Sequence, residues 1–422
     1  MQVLTALLAT DSFPPHCGGS GWSTYELARE LRARGHRVLV LKVVAGSGGQ
    51  EQESEYDGLR VIELHAWAPN VPGVRNYFKN ERLYPRVAQR IEQLVVAERV
   101  DVVHGQHVLS GPPSVWAAKR AGVPGVLTVR DYWPVCYRSD LLHSPQTLAL
   151  CPGCSRVAGV QHGRPQIGIT GFARLLARKY LDANMRLKRE ALASADAVIA
   201  VSSVIARDLA ERVPELARTR LEVIPNPVNI AALRRRASAQ RPLADPYALY
   251  VGKLAVNKGT DLLVEAIDEA DLDWPLVIAG DGPDRPLIEK AAGALTRDVR
   301  FLGWIDNTET AAWMAHAAML IFPSRGPESL SRVLIEASAL GVPIAAMHTG
   351  GTADIVEDEV TGLLSTSVAG LAEDIRRIRH GEVLRQRLGA AAANRAAEKF
   401  DSPSVVARIE TLYTELLARP AK

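Results

Sequence analysis

Short apolar runs alternate with amphipathic stretches from the first residues to about Ser202. VLTALLAT reads as a strand and YELARELRARG repeats its apolar positions at helical spacing. HRVLVLKVV, LRVIELHA, a helix around Tyr84 to Ala97, DVVHGQHV, a helix before Gly122 and VPGVLTVRDY continue the series. A long helix from Phe172 to Ala193 and the strand AVIAVS close it. Strands of this kind, apolar on both faces and separated by helices, predict a parallel sheet covered on both sides. The segment IPNPVNIAALRRRASAQRPLADP, with its prolines and basic cluster, breaks the rhythm and predicts a domain connection. The alternation then restarts with YALYVGKL, a helix from Thr260, PLVIAGD, a helix near Ile288, VRFLGW, a helix near Trp313, AAMLIFPS, the helix of SLSRVLIEASALG, and VPIAAM. The expected fold class is therefore α/β, with two tandem Rossmann-like doubly wound parallel-sheet domains. Their expected bounds are 1–228 and 229–400, with an insertion at 133–170 in the first and a terminal amphipathic helix within 401–422.

Composition adds limits. With 422 residues, 47% hydrophobic and 23% charged, the chain has room for two ordinary cores and no signature of disorder. A net charge of +3 is too slight to point to nucleic acid. Its distribution is uneven, with 28 Lys and Arg against 21 Asp and Glu up to Ile230 and 22 against 26 beyond it. A mildly basic first half suits an anionic lipid surface or a phosphorylated substrate, or simply solvated helices. No apolar run reaches membrane-spanning length, and MQVLTALLAT lacks a basic segment ahead of its apolar run. A cytoplasmic protein is expected, with peripheral contact at the inner face of the membrane as a further possibility.

In open parallel sheets ligands bind beyond the carboxyl ends of the strands, so residues there carry most weight. CGGSG follows the first strand and leads into a helix, placing Gly18 and Gly19 where exposed amides can approach an anion. It lacks the G-x-G-x-x-G spacing of dinucleotide sites, which argues against a nicotinamide cofactor. VGKLAVNKG offers Lys253 and Lys258 after the first strand of the second domain, a pair able to neutralise a diphosphate. In IFPSRGPESLSRVLIEA the amides near Ser329 and Leu330 open a helix, Glu328 precedes it, and Glu336 lies along it. Dipole complementarity accounts for Glu328 well and for Glu336 poorly. A nucleotide sugar, hydroxylated at both ends and anionic between them, accounts for both: Glu328 would accept from sugar hydroxyls and Glu336 from a ribose.

PSRGPESLSRVLIEASALGVPIAA resembles the E-x7-E segment of the retaining glycosyltransferases of family 4, which have the GT-B fold. VGKLAVNKGTDLLVEAI, IAGDGPDRPLIE, VRFLGWI and GGTADIVEDEVTGLL are similar to that family's consecutive segments. GGSGWSTYELARELRARGHRVLV, DVVHGQH, ADAVIAVS and IPNPVN match more loosely in the first half. The resemblance implies two domains facing a cleft and a final helix that returns to the first domain. It implies that Lys253 and Lys258 contact the donor diphosphate, Glu328 holds the donor sugar, Glu336 the ribose, and Ser329 and Leu330 the phosphates. Gly18 and Gly19 then match the loop that approaches the diphosphate. No cofactor beyond the nucleotide-sugar cosubstrate is implied, and no catalytic metal. Many relatives carry His-Asp where this chain has Arg130 and Asp131. A guanidinium cannot serve as general base, but it can bind a phosphate or carboxylate. Transfer on one face of the sugar, with the leaving phosphate taking the acceptor proton, would rest on positioning and electrostatics. Asp131, His104, His107 and Arg130 share one edge and are candidates to shape the acceptor site, a hydrogen-bonded structural role being the alternative for each histidine.

Three further features remain. Cys136, Cys151 and Cys154, with Cys17, His143 or His162, have the composition of a structural zinc site, free thiols being the alternative. FARLLARKYLDANMRLKREAL carries six basic residues against two acidic ones, as on a helix lying on an anionic membrane or covering the first sheet. The function expected is transfer of a sugar from a UDP- or GDP-sugar to a glycan, glycolipid or small-molecule acceptor. The alternatives are a catalytically inactive nucleotide-sugar-binding subunit, and a GT-B nucleotide-sugar epimerase or phosphorylase.

Overall fold

The structure is a computed structural model that describes residues 3–46, 48–71, 74–137, 139, 141, 172–237 and 240–419. These form two compact units: residues up to 141, 172–227 and those from 402 onward in the first, 228–401 in the second. Both are parallel-sheet α/β domains, as the alternation of the sequence predicts.

Among the described residues the first unit holds eight strands: β1 (Thr5–Thr10), β2 (Arg37–Gly46), β3 (Gln52–Tyr56), β4 (Leu59–Trp67), β5 (Val102–Gly105), β6 (Gly125–Val129), β7 (Ala197–Ala200) and β8 (Arg220–Val223). Their order is β3-β4-β2-β1-β5-β6-β7-β8, and every pair is parallel except β3 with β4. Chain direction across the sheet reverses between β1 and β5, so the carboxyl ends of those two strands open the crevice where such sheets bind ligands. Side chains alternate in β1: Ala6 and Leu8 pack into one buried cluster with Val38 and Val40, while Leu7 and Ala9 join Leu39 and Leu41 on the opposite face. The first face is completed by the terminal helix Ser402–Leu417, which contributes Val405, Val406, Ile409, Leu412, Tyr413 and Leu416. Arg34 Nη1 and His36 Nε2 meet Glu410 at 3.0 and 2.9 Å and fix that helix's register.

The edge strand β3 was not predicted. QESEY has no apolar alternation and four of its five residues are exposed. Its pairing is set by the Asp57-Gly58 turn, with φ of 49° and 70°, the conformation of a two-residue hairpin loop.

Among its described residues the second unit has six parallel strands: β9 (Ala248–Val251), β10 (Leu276–Ala279), β11 (Val299–Gly303), β12 (Met319–Phe322), β13 (Ile344–Met347) and β14 (Leu363–Ser365), in the order β11-β10-β9-β12-β13-β14. Direction here reverses between β9 and β12, which are neighbours. Lys258 follows the first of these strands and Glu328 the second. Helices Thr260–Glu269 and Val368–His380 bury Leu263, Ile267, Leu371 and Ile375 against the sheet.

Candidate active site

In the second unit, two loops meet at this reversal. The chain leaves β9, makes the short 3-10 turn Val256–Lys258, and enters the helix Thr260–Glu269. The loop after β12 is tied to it: the amide of Gly326 donates to Asn257 O at 2.8 Å. That brings Lys258 Nζ to 2.6 Å from Glu328 Oε1, and Ser324 Oγ donates to the same oxygen at 2.6 Å. Glu328 is only 9% exposed, so its carboxylate is oriented by charge-assisted bonds in partly dehydrated surroundings. A third loop closes from behind. The amide of Gly351 donates to Glu328 O at 2.7 Å, and a Cβ at Gly350, whose φ is 49°, would lie 2.0 Å from that oxygen. Only glycine fits there.

The helix beyond begins at Arg332, capped by Ser331 Oγ, which accepts from Leu334 N. Ser329 and Leu330 therefore precede it by two residues or more, where an opening of the helix at these amides was expected. Glu336 lies in its middle and accepts from Arg332 Nε at 2.7 Å, one turn back. Its side chain is 18% exposed and holds an arginine, a partner the sequence reading had not considered. Lys253 is exposed and has no side-chain partner among the described residues. Lys258 and Glu328 are thus brought together, while the side-chain bond of Glu336 goes to Arg332.

In the first unit the carboxyl ends of β1, β5 and β6 converge. Asp11 follows β1, His107 follows β5 and Asp131 follows β6. His107 Nδ1 lies 3.0 Å from Asp11 Oδ2 and its Nε2 3.3 Å from Asp131 Oδ2. Both carboxylates are anchored in turn, by the amides of Leu109 and Trp133. Burial disfavours a charged ring here, but the bonds to Asp11 and Asp131 outweigh it and push the imidazole up to about 10. His107 is therefore an imidazolium with both N–H groups committed, and it cannot accept a proton at neutral pH.

Two expected acceptor-side residues have other work. His104 is fully buried, Nδ1 at 2.6 Å from the Tyr413 hydroxyl and Nε2 at 2.7 Å from Thr128 Oγ1. Burial, with the Arg130 charge nearby, holds it well below the ordinary imidazole range. It is a neutral core residue that joins the terminal helix to β5 and β6. Arg130 is 8% exposed, and each of its nitrogens donates inside the protein: Nε to Asn226 Oδ1 at 2.9 Å, Nη1 to Gln106 O at 2.8 Å, Nη2 to Gln106 Oε1 at 2.7 Å. These bonds hold the loop after β5 against Asn226 of IPNPVN.

Gly18 and Gly19 stand at the start of the helix Gly19–Ala33, and a Cβ at Gly18 would meet open space. The close contact belongs to Gly21, where a Cβ would lie 2.6 Å from Cys17 Cβ. Cys136 is buried, whereas Cys151, Cys154, His143 and His162 lie outside the described residues, as does most of the insertion 133–170.

Residues 17–232, more than half of the chain, match the family described as Glycosyltransferase Family 4, and residues 245–380 match Glycosyl transferases group 1. The phosphatidyl-myo-inositol mannosyltransferase of Mycobacterium leprae is 30% identical over 96% of this chain and 95% of its own. The chain belongs to glycosyltransferase family 4.

Family 4 membership makes this chain a transferase and fits the GT-B arrangement of two parallel-sheet α/β domains. A D-inositol 3-phosphate glycosyltransferase of Nocardioides is 26% identical across 90% of this chain and 81% of its own. Among solved structures, sucrose-phosphate synthase of Thermosynechococcus elongatus superposes with a TM-score of 0.70 at 22% identity, covering 99% of this chain and all of that one. Anabaena HepE in complex with UDP-glucose gives 0.66 at 18%, covering 97% and 99%. Sequence reading of this family 4 glycosyltransferase missed Ser324, Gly350, Asp11, Gln106 and Asn226. Asp11 was within reach, because it directly follows the first strand. Gly350, Gln106 and Asn226 act through contacts with residues distant in sequence, whereas Ser324 bonds Glu328 only four residues on.

Proposed function

We propose that this glycosyltransferase moves a hexose from a UDP- or GDP-sugar, bound by the second unit, to a glycan, glycolipid or small-molecule acceptor bound by the first, with retention of configuration and without a metal ion. The observation that carries this reading is the Lys258–Glu328–Ser324 cluster at the carboxyl end of β12. Glu328 presents a fixed carboxylate for the hydroxyls of the donor sugar. Lys258 supplies the charge that stabilises a departing diphosphate, with Lys253 as the second cation, and Glu336 is assigned to the ribose, exchanging Arg332 for its hydroxyls. Support for a nucleotide donor comes from the HepE complexes, and for polyol or lipid acceptors from the activities named for the relatives.

His107 has no free nitrogen with which to take a proton from the acceptor hydroxyl. The leaving phosphate oxygen is then the acceptor of that proton: the glycosidic bond to the diphosphate breaks, the new bond forms on the same face, and nucleoside diphosphate departs protonated. Asp131, fixed by His107 and the Trp133 amide, serves as a positioning group on the acceptor side.

Proton NMR of the product tests this. The account expects the anomeric configuration of the donor to be kept, with rates unchanged in EDTA. Inversion, or loss of activity restored by a divalent cation, would overturn it.

A further inference from the structure

The helix Arg332–Ala339 carries two charged residues, and both are placed against the ordinary rules. Arg332 is its first residue, at the end where unsatisfied amides make the helix positive and favour acids over bases. Glu336 follows one turn later, so the basic member precedes the acidic one, the weaker of the two orders along a helix. Neither side chain is freely solvated: that of Arg332 is 13% exposed and that of Glu336 18%, with Arg332 Nε donating to Glu336 Oε1 at 2.7 Å. Leu334, Ile335, Ala337 and Ala339 are the buried apolar residues of this helix, so its packing does not call for a cation at the start. A largely covered cation at a positive helix end, offset by one carboxylate, is a poor stabilising device. Such a breach of the local rules suits a ligand that brings hydroxyls for the acid and an anion for the base. The helix starts beyond β12, shortly after Glu328 and at the reversal of strand order, where a ligand of this sheet lies.

On the transferase reading above, which assigns Glu336 to the donor ribose, we infer that Arg332 is a specificity-determining residue of the donor site. It holds the Glu336 carboxylate until a nucleoside diphosphate arrives, then releases it to the ribose diol and pairs with the diphosphate. Bonds from the guanidinium to phosphate oxygens are charge-assisted, like the one given up to Glu336. A nucleoside without phosphates offers hydroxyls to Glu336 but no anion to Arg332 in exchange, so the pair stays closed. The site therefore selects a diphosphate over its nucleoside by more than the charges of Lys253 and Lys258.

Displacement calorimetry of the full chain with UDP, GDP and ADP, and with the matching nucleosides, tests this. Wild type is expected to bind at least one diphosphate, about a hundredfold or more tighter than its nucleoside. In Arg332→Met the nucleoside should bind tighter than to wild type and the diphosphate weaker, so that the preference falls at least about tenfold. Arg332→Lys, which keeps the charge, should retain it. Removing a cation from the helix end that disfavours it leaves the fold intact. In a Glu336→Gln background the same Arg332→Met change should no longer tighten nucleoside binding, a coupling that an arginine needed only for packing would not show. An unchanged preference in Arg332→Met, or tightening that is equal with and without Glu336, would overturn the inference while leaving the transferase reading in place. Binding of none of the three diphosphates to wild type would overturn both.

Discussion

His107 is held between Asp11 and Asp131, and its charge leaves a signature in stability. Its value in the folded chain, about 10, lies above the ordinary imidazole value of about 6.5. The protonated ring therefore stabilises the fold fully below about pH 6.5, and that contribution fades as pH rises through about 10. Urea unfolding of wild type and His107→Gln should differ most near about pH 6 and converge above about pH 10; a difference that grows with pH would contradict the assignment. At Tyr413 the expectation is simpler. Tyr413→Phe removes the partner of His104 Nδ1 in a fully buried site, at a cost of about 1–3 kcal/mol in the same measurement. Lys258, Glu328 and Asp131 were legible as candidates because each follows a strand, where the fold exposes side chains to ligands. The disposition of His104 and Arg130 was not, since Tyr413 and Asn226 approach them from 309 and 96 residues away.

Elements were legible where their hydrophobic period was strong. The helices Tyr84–Glu98 and Phe172–Ala193 lie where their apolar spacing placed them. RLEV of β8 escaped because its alternation spans only four residues and QESEY of β3 because it does not alternate, and their pairing is imposed by neighbouring strands and, for β3, a turn. The start of the helix Arg332–Ala339 was placed early, because the Ser331 cap and not the apolar period decides it. Ser331→Ala should cost about 1 kcal/mol in urea unfolding, the usual worth of such a cap. A larger consequence is expected behind Glu328. Gly350→Ala places a methyl against the Glu328 carbonyl and must move that loop, so donor turnover should fall by at least about tenfold with the circular dichroism spectrum unchanged. Normal turnover would show that the loop after β13 does not set the position of Glu328.

For the whole molecule, the terminal helix Ser402–Leu417 is part of the first unit's core. Its six buried apolar side chains are each worth roughly 1.5–3 kcal/mol, which together match or exceed the ~5–15 kcal/mol stability of an ordinary domain. A chain ending at Asp401 is therefore expected to be insoluble, and a soluble, cooperatively unfolding truncation would contradict that packing. Two doubly wound domains were readable from alternation alone, because each strand is apolar on both faces. A cavity of the first unit was not readable, since Lys42, Lys79 and Lys188 line it from three separate elements that no spacing rule links. The donor site makes the most direct claim. Purified protein incubated with UDP-, GDP- and ADP-sugars should release nucleoside diphosphate from at least one, and both Glu328→Ala and Lys258→Ala should reduce that release about a hundredfold or more while remaining folded. Release unchanged in both variants, or tight donor binding without turnover in the presence of phosphorylated and unphosphorylated acceptors alike, would contradict the account.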